Sequence, residues 1–140
     1  MIKWIFIALL FFFDLPQLSA QSALEVTVNN IASAKGKVML ALFKQDNGFP
    51  GNPKNAYLLH NCRAAKGSIK LVFENIPAGT YALAIFHDAD SNGKLDTNVL
   101  GIPKEDYGFS NNARPAFRAP TFKEAAFSFE KTSTLTITIK

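Results

Sequence analysis

Apolar and polar residues alternate with a period of two through most of the chain beyond residue 20. Leu24-Glu25-Val26-Thr27-Val28 is the first such run. The pattern is that of a strand with one buried and one wet face, because successive side chains leave opposite faces of the sheet. Lys37–Phe43, Ser68–Phe73, Ala126–Phe129 and Thr134–Ile139 repeat it. Thr80–Phe86 is apolar throughout and reads as a central strand, and Tyr57–His60 as a short edge strand. Gly and Pro punctuate the gaps. No window of ten or more residues keeps a period near 3.6, and only Asn52–Leu58 and Pro120–Ala125 offer a helical turn. The predicted strands are 24–29, 37–43, 68–73, 80–87 and 134–139, with shorter ones at 57–60 and 126–129. Six or seven short strands at this spacing predict an all-β fold, an antiparallel two-sheet sandwich of about seven strands. Leu40, Leu42, Val72, Leu83, Ile85, Phe127, Phe129, Leu135 and Ile137 are its expected core.

The first twenty residues follow a different rule. Lys3 precedes ten unbroken apolar residues, Trp4–Phe13, and small residues at Ser19-Ala20 offer a cleavage point before Gln21. This is the layout of a secretory signal peptide. The apolar run is about half of the ~20 residues a bilayer-spanning helix needs. The expected organisation is a signal peptide over 1–20 and a single sandwich domain over 21–140, with no transmembrane segment after processing. The expected location is outside the cytoplasm, periplasmic or extracellular. Cys62 is the only cysteine, so no internal disulfide forms and packing alone must hold the fold. The formal charge of +4 comes from scattered basic residues, which argues against a nucleic-acid partner.

The chemistry gathers after the central strand, in His87-Asp88-Ala89-Asp90-Ser91-Asn92-Gly93-Lys94-Leu95-Asp96. Asp88, Asp90, Asn92, Gly93 and Asp96 fall at positions 1, 3, 5, 6 and 9 of a calcium-binding loop. A hard dication takes six to eight oxygens, and acidic side chains at alternate positions of a curled loop converge on one point. The expected ligands are Asp88, Asp90, Asn92 and Asp96 with the carbonyl of Lys94, and the expected ion is Ca²⁺. Position 12 is Val99, not the bidentate Glu of an EF-hand, so another oxygen must come from elsewhere. Glu105, Asp106 and the Asn98 side chain are the nearest candidates. The competing reading is a plain hairpin turn at Ser91-Asn92-Gly93. Zinc fits poorly, because only His60 and His87 offer nitrogen and no Cys lies nearby.

Residues 97–122 form a long connection carrying Tyr107, Phe109, Asn111, Asn112 and Arg114. Aromatic faces with amide and guanidinium donors suit a glycan, peptide or protein ligand. The alternative is that the aromatics fold inward as a plug on one sandwich edge and Asn111-Asn112 makes a turn. Catalytic readings are weaker. His87 and Asp88 are adjacent on a strand and point to opposite faces. Ser110 lacks a nucleophile-elbow setting, and Cys62 has only His60 near it. No catalytic residue is therefore assigned, and a hydrolase using a metal in the acidic loop is the alternative to a non-enzymatic protein.

Two resemblances sharpen this picture. Phe73-Glu74-Asn75-Ile76-Pro77-Ala78-Gly79-Thr80-Tyr81 is similar to the strand–turn–strand of prealbumin-like, carboxypeptidase-regulatory-like β-sandwich domains. That likeness concerns scaffold alone. The string from Phe86 to Arg114, with Leu100-Gly101-Ile102-Pro103-Lys104-Glu105 and Tyr107-Gly108-Phe109-Ser110-Asn111-Asn112-Ala113, resembles a bacterial exported family, domain of unknown function 2141. Asp46-Asn47-Gly48-Phe49-Pro50 and Phe122-Lys123-Glu124-Ala125-Ala126-Phe127 also fit it. The resemblance implies a small exported β-sandwich and no particular activity.

Overall fold

A computed structural model describes residues 21–140, so the signal peptide expected over 1–20 lies outside the described residues. Eight strands appear in chain order: β1 (Ala23–Ile31), β2 (Lys37–Phe43), β3 (Leu58–Arg63), β4 (Gly67–Glu74), β5 (Gly79–Asp88), β6 (Tyr107–Phe109), β7 (Phe127–Phe129) and β8 (Thr132–Thr138). One sheet has the order β4-β1-β8. The other runs β3-β2-β5-β6, and β7 also pairs with the start of β5. Period-two burial on both sheets builds the core. Leu24, Val26 and Val28 of β1 meet Val38, Leu40 and Leu42 of β2, Leu83 and Ile85 of β5, and Ile137 of β8. The all-β two-sheet expectation holds.

Four details depart from the sequence reading. The sandwich is not wholly antiparallel. β1 and β8 run parallel, with Val26 opposite Leu135, and nearly the whole chain serves as the crossover that a parallel pair requires. β6 is an extra strand inside the connection 97–122; three residues are too few for a periodic signal. Val72 is not a core residue but 51% exposed. On β4 the inward positions are Ile69, Leu71 and Phe73, so Val72 takes the opposite face by the same alternation. Phe127 and Leu135 pack against the core while remaining half-buried, since β7 is short and Leu135 lies on an outer strand.

Both expected helical turns are present. Pro53–Asn55 forms a 3-10 turn capped by Asn52. Helix α1 (Phe122–Ala125) is a single turn with a capping box, in which Thr121 Oγ1 accepts from Glu124 N and the Glu124 carboxylate accepts from Thr121 N. The Ile76-Pro77-Ala78-Gly79 turn is fixed by Tyr81, whose buried hydroxyl donates to the Pro77 carbonyl at 2.7 Å. Burial raises the Tyr81 pKa above its ordinary value, with the nearby Tyr57 adding to the shift, so the hydroxyl keeps its proton and the bond. Cys62 is half-buried and free. Desolvation pushes its thiol pKa up, which lowers the share of reactive thiolate.

Candidate cation site at the end of β5

β5 carries the acidic loop out of the sheet. Its last two residues are both buried although one is charged: His87 is 4% exposed and Asp88 is 1% exposed. The two point apart, as neighbours on a strand must. The His87 ring nitrogen Nε2 lies 2.8 Å from the Lys35 carbonyl oxygen, and His87 N donates to the Asp106 carbonyl at 2.9 Å. The imidazole is therefore held by backbone on the side away from the acids. Asp88 lies opposite Lys37 on β2, and Gly36 beside it is a steric requirement. A Cβ on Gly36 would overlap the Asp88 carbonyl oxygen, and its φ of +69° is a left-handed value besides.

The Asp88 carboxylate folds the loop around itself. Its Oδ1 accepts from Asn92 N at 3.0 Å, and its Oδ2 accepts from Gly93 N at 2.9 Å. Asp90 Oδ1 accepts from the same Asn92 amide at 3.1 Å. The Asn92 side chain ties the acids together, with Nδ2 donating to Asp90 Oδ2 at 3.0 Å and to Asp96 Oδ1 at 2.9 Å. Its Oδ1 accepts from Lys94 N at 2.8 Å. A second segment closes the group. Glu105 Oε1 accepts from Ala89 N, and its Oε2 accepts from Asp96 N, both at 3.0 Å.

The result is a convergence of carboxylates from two segments. Oxygens of Asp88, Asp90 and Glu105 all lie within 4.8 Å of one another, with Asp88 buried, Glu105 half-buried and Asp90 exposed. Among the described residues, ion pairs join Lys70 to Glu25 and Arg118 to Glu124, and none reaches this group. Like charges at this spacing repel one another, and backbone amides donate to each of the three carboxylates. An oxygen-only donor set of this kind can hold a metal ion.

Of the residues read from the sequence, Asp88 and Asp90 belong to this convergence. Asp96 is joined to it through the Asn92 amide, and Lys94 lies on the same turn. Glu105 was only one of three candidates for a further oxygen, and the structure brings it in. Of the other two, Asn98 Oδ1 accepts from Leu100 N and Ile102 N, and the Asp106 carboxylate is not among the converging oxygens. What the sequence does not display is the pairing that returns residue 105 to the loop. Lys104 N donates to the Asp96 carbonyl at 2.8 Å, and Thr97 bridges Pro103.

The residues of the long connection sit in the scaffold. Phe109 is buried, and with Phe122 it packs around Phe49 at ring separations of 5.9 and 6.0 Å. These aromatics form an inward plug, whereas Phe117 is fully exposed. Buried Ser110 accepts from Leu83 N at 2.9 Å and donates to the Ala125 carbonyl, linking β5 to the end of α1. Asn111 and Asn112 have φ of 60° and 49°, a region Asn tolerates better than most residues. Asn111 Nδ2 donates to the Ala126 carbonyl at 2.7 Å. Asn112 pairs with β8 as a strand would, donating to the Thr136 carbonyl and accepting from Thr138 N. Arg114 lies 4.7 Å above the Tyr107 ring and donates to the Tyr107 and Lys140 carbonyls. Tyr107-Gly108-Phe109-Ser110-Asn111-Asn112-Ala113-Arg114 thus works as a strut between the two sheets. The amide and guanidinium groups of Asn111, Asn112 and Arg114 that marked it as a candidate ligand surface are engaged with the protein's own backbone.

No helix among the described residues is long and apolar enough to cross a membrane. No curated protein and no solved structure matches the chain. Residues 26–137 match the family described as an uncharacterized protein conserved in bacteria, domain of unknown function 2141, and the chain belongs to that family.

Proposed function

We propose that this member of a bacterial family is an exported, non-catalytic β-sandwich whose acidic loop binds Ca²⁺ and is held in shape by it. The observation that carries the reading is the approach of Asp88, Asp90 and Glu105 to within 4.8 Å with no basic side chain among the described residues paired to them. Asp88, Asp90 and Glu105 supply the first oxygens. Asp96, the Lys94 carbonyl and Asn92 complete the set, with Asn92 turning its amide so that oxygen faces the ion. Calcium suits the group because its shell is large and irregular, whereas magnesium demands a near-ideal octahedron. Zinc lacks its nitrogen and sulfur ligands, since His87 faces the Lys35 carbonyl.

The same contacts support a closed, structural site. Asp88 and Glu105 already join β5, the loop and the segment before β6 through amides of the chain, so an ion there ties three segments of backbone. A hydrolase would need a base beside an open coordination position, and the one imidazole at this end of β5 is committed to backbone. Calorimetric titration of the purified exported protein tests the reading. One calcium per chain is expected, with a dissociation constant of roughly 10⁻⁴–10⁻³ M, the range of extracellular calcium modules. Magnesium should bind more weakly. No calcium heat at these concentrations, or tighter binding of magnesium, would overturn it.

A further inference from the structure

Two open sheets of order β4-β1-β8 and β3-β2-β5-β6 leave four strand edges, and three of them are blunted. β6 is closed by the last residue, as Lys140 N donates to the Tyr107 carbonyl at 3.1 Å and Arg114 donates to the same oxygen. On β8 the Asn112 side chain engages the Thr136 carbonyl and the Thr138 amide. β4 carries Lys70 in mid-strand, ion-paired to Glu25 at 2.7 Å, and an edge lysine discourages further pairing. Among the described residues, β3 has none of these devices. Its six residues, Leu58–Arg63, contain no Pro and keep an unbroken register with β2, and their one permanent charge is Arg63 at the end.

Register decides which groups of β3 are left over. Ala64 N donates to the Gly36 carbonyl at 3.2 Å, one pair beyond the β2–β3 ladder. Hydrogen-bonded and non-bonded pairs alternate in an antiparallel ladder, so Cys62, His60 and Leu58 share their backbone bonds with β2. Leu59, Asn61 and Arg63 turn their amides and carbonyls outward instead. All three residues are exposed, Leu59 by 58%. A row of outward backbone donors and acceptors is matched by the backbone of another extended chain, not by a sugar ring or a lipid tail.

The side chains beside this edge describe the incoming strand. Leu59 lies opposite Ala41, Asn61 opposite Met39, and Met39 in turn opposite Phe86 of β5. Cross-strand neighbours share a face. Leu59, Ala41, Met39 and Phe86 therefore form an apolar shelf on the outer face of the larger sheet, and none of the four is fully buried. A strand added to β3 sets alternate side chains on that side, where apolar ones leave water. Charge marks its end. Residues 47–73 contain no acid, and Lys54, Arg63 and Lys66 are in no ion pair among the described residues. Lys37 stands beside Arg63 in register; the Asp88 carboxylate on its other side accepts from the Asn92 and Gly93 amides. A second copy of the chain brings no acid to this end, because its own β3 carries only Arg63.

We propose that the free edge of β3 takes an extended segment of another polypeptide as an added strand, apolar at alternate positions and acidic where it meets Arg63. The docking is independent of any ion at the acidic loop.

Fluorescence anisotropy of labelled synthetic peptides with the purified exported protein tests it. The probe alternates valine and threonine and carries glutamates at both ends; one control replaces the glutamates by lysines, and another is N-methylated at every amide. Wild type should bind the glutamate probe, bind the lysine control about tenfold more weakly, and leave the methylated control unbound. Asn61→Pro removes an outward amide and leaves the β2 ladder whole, as proline at an edge permits. Leu59→Lys places a lysine on the edge. Both variants should keep a melting temperature near wild type and lose about tenfold in affinity for the glutamate probe, the loss of one or two backbone hydrogen bonds. If Asn61→Pro fails to fold, Leu59→Lys decides alone. No binding of the glutamate probe at millimolar concentration, equal binding of either control, or undiminished binding by the folded variants overturns the proposal. A wild-type dimer that Leu59→Lys converts to monomer also overturns it, by placing a second copy on the edge.

Discussion

Single residues carry more of this fold than their size suggests. Ser110 is buried and makes two backbone contacts, from Leu83 N and to the Ala125 carbonyl. Ser110→Ala leaves a buried donor and a buried acceptor unpaired, so it should cost about 1–3 kcal/mol in denaturant unfolding. Glu124 makes a pH-dependent contribution instead. Arg118 donates to both its carboxylate oxygens, at 2.7 and 2.8 Å, and the Thr121 amide and hydroxyl also donate to it. Led by the Arg118 contact, these bonds lower the Glu124 pKa from the ordinary 4.5 to about 2. A carboxyl depressed in the folded state stabilises above its unfolded pKa, and that stabilisation is lost as pH falls through the folded pKa. The melting-temperature gap between wild type and Glu124→Gln should therefore be open at neutral pH and close between about pH 4.5 and 2. The gap should be small, since this pair is exposed and screened.

At the scale of elements, the alternating pattern decided most of the outcome. β1, β2, β4, β5 and β8 were legible because each runs six or more residues with one face against the other sheet. The error at Val72 shows the limit of reading composition ahead of parity. Ile69, Leu71 and Phe73 set the inward phase of β4, and Val72, one residue out of that phase, faces outward despite being apolar. Val72→Thr should thus change stability by no more than about 0.5 kcal/mol, while Leu71→Ala should cost about 2 kcal/mol, measured by urea unfolding. β6 was illegible for a different reason. Its three residues pair with Ala84–Phe86 of β5, and the side chains of Ser110, Asn112 and Arg114 that follow bond backbone of β5, β8 and Tyr107 respectively, contacts that leave no periodic trace. The polar residues that suggested a ligand surface are these same struts. In the acidic loop, the spacing of Asp88, Asp90 and Asn92 was readable as local convergence. The place of Glu105 depends on a ribbon pairing sixteen residues away from its Ala89 contact, and no local pattern encodes that.

For the whole molecule, two sheets without a disulfide enclose one layer of aliphatic and aromatic side chains, and the acidic loop with its apolar hairpin projects from one end of β5. Export is the first property to check at this scale. Cleavage after Ala20 removes Trp4, the only tryptophan. Intact-mass analysis of the exported protein should begin at Gln21, and its emission should be that of tyrosine alone; a chain still starting at Met1 contradicts the expected processing. The central claim is that Asp88, Asp90 and Glu105 share one ion, and calcium-linked melting tests it most directly. Wild type, Asp90→Ala and Glu105→Gln are melted in millimolar calcium and in chelator. A ligand that binds only the folded state stabilises it by RT ln(1 + [L]/Kd), about 1 kcal/mol for a site of this class at millimolar calcium. The account predicts that calcium raises the wild-type melting temperature over its value in chelator, and that both variants lose this rise. Identical wild-type melting in calcium and chelator, or a full calcium response retained in Glu105→Gln, would contradict it.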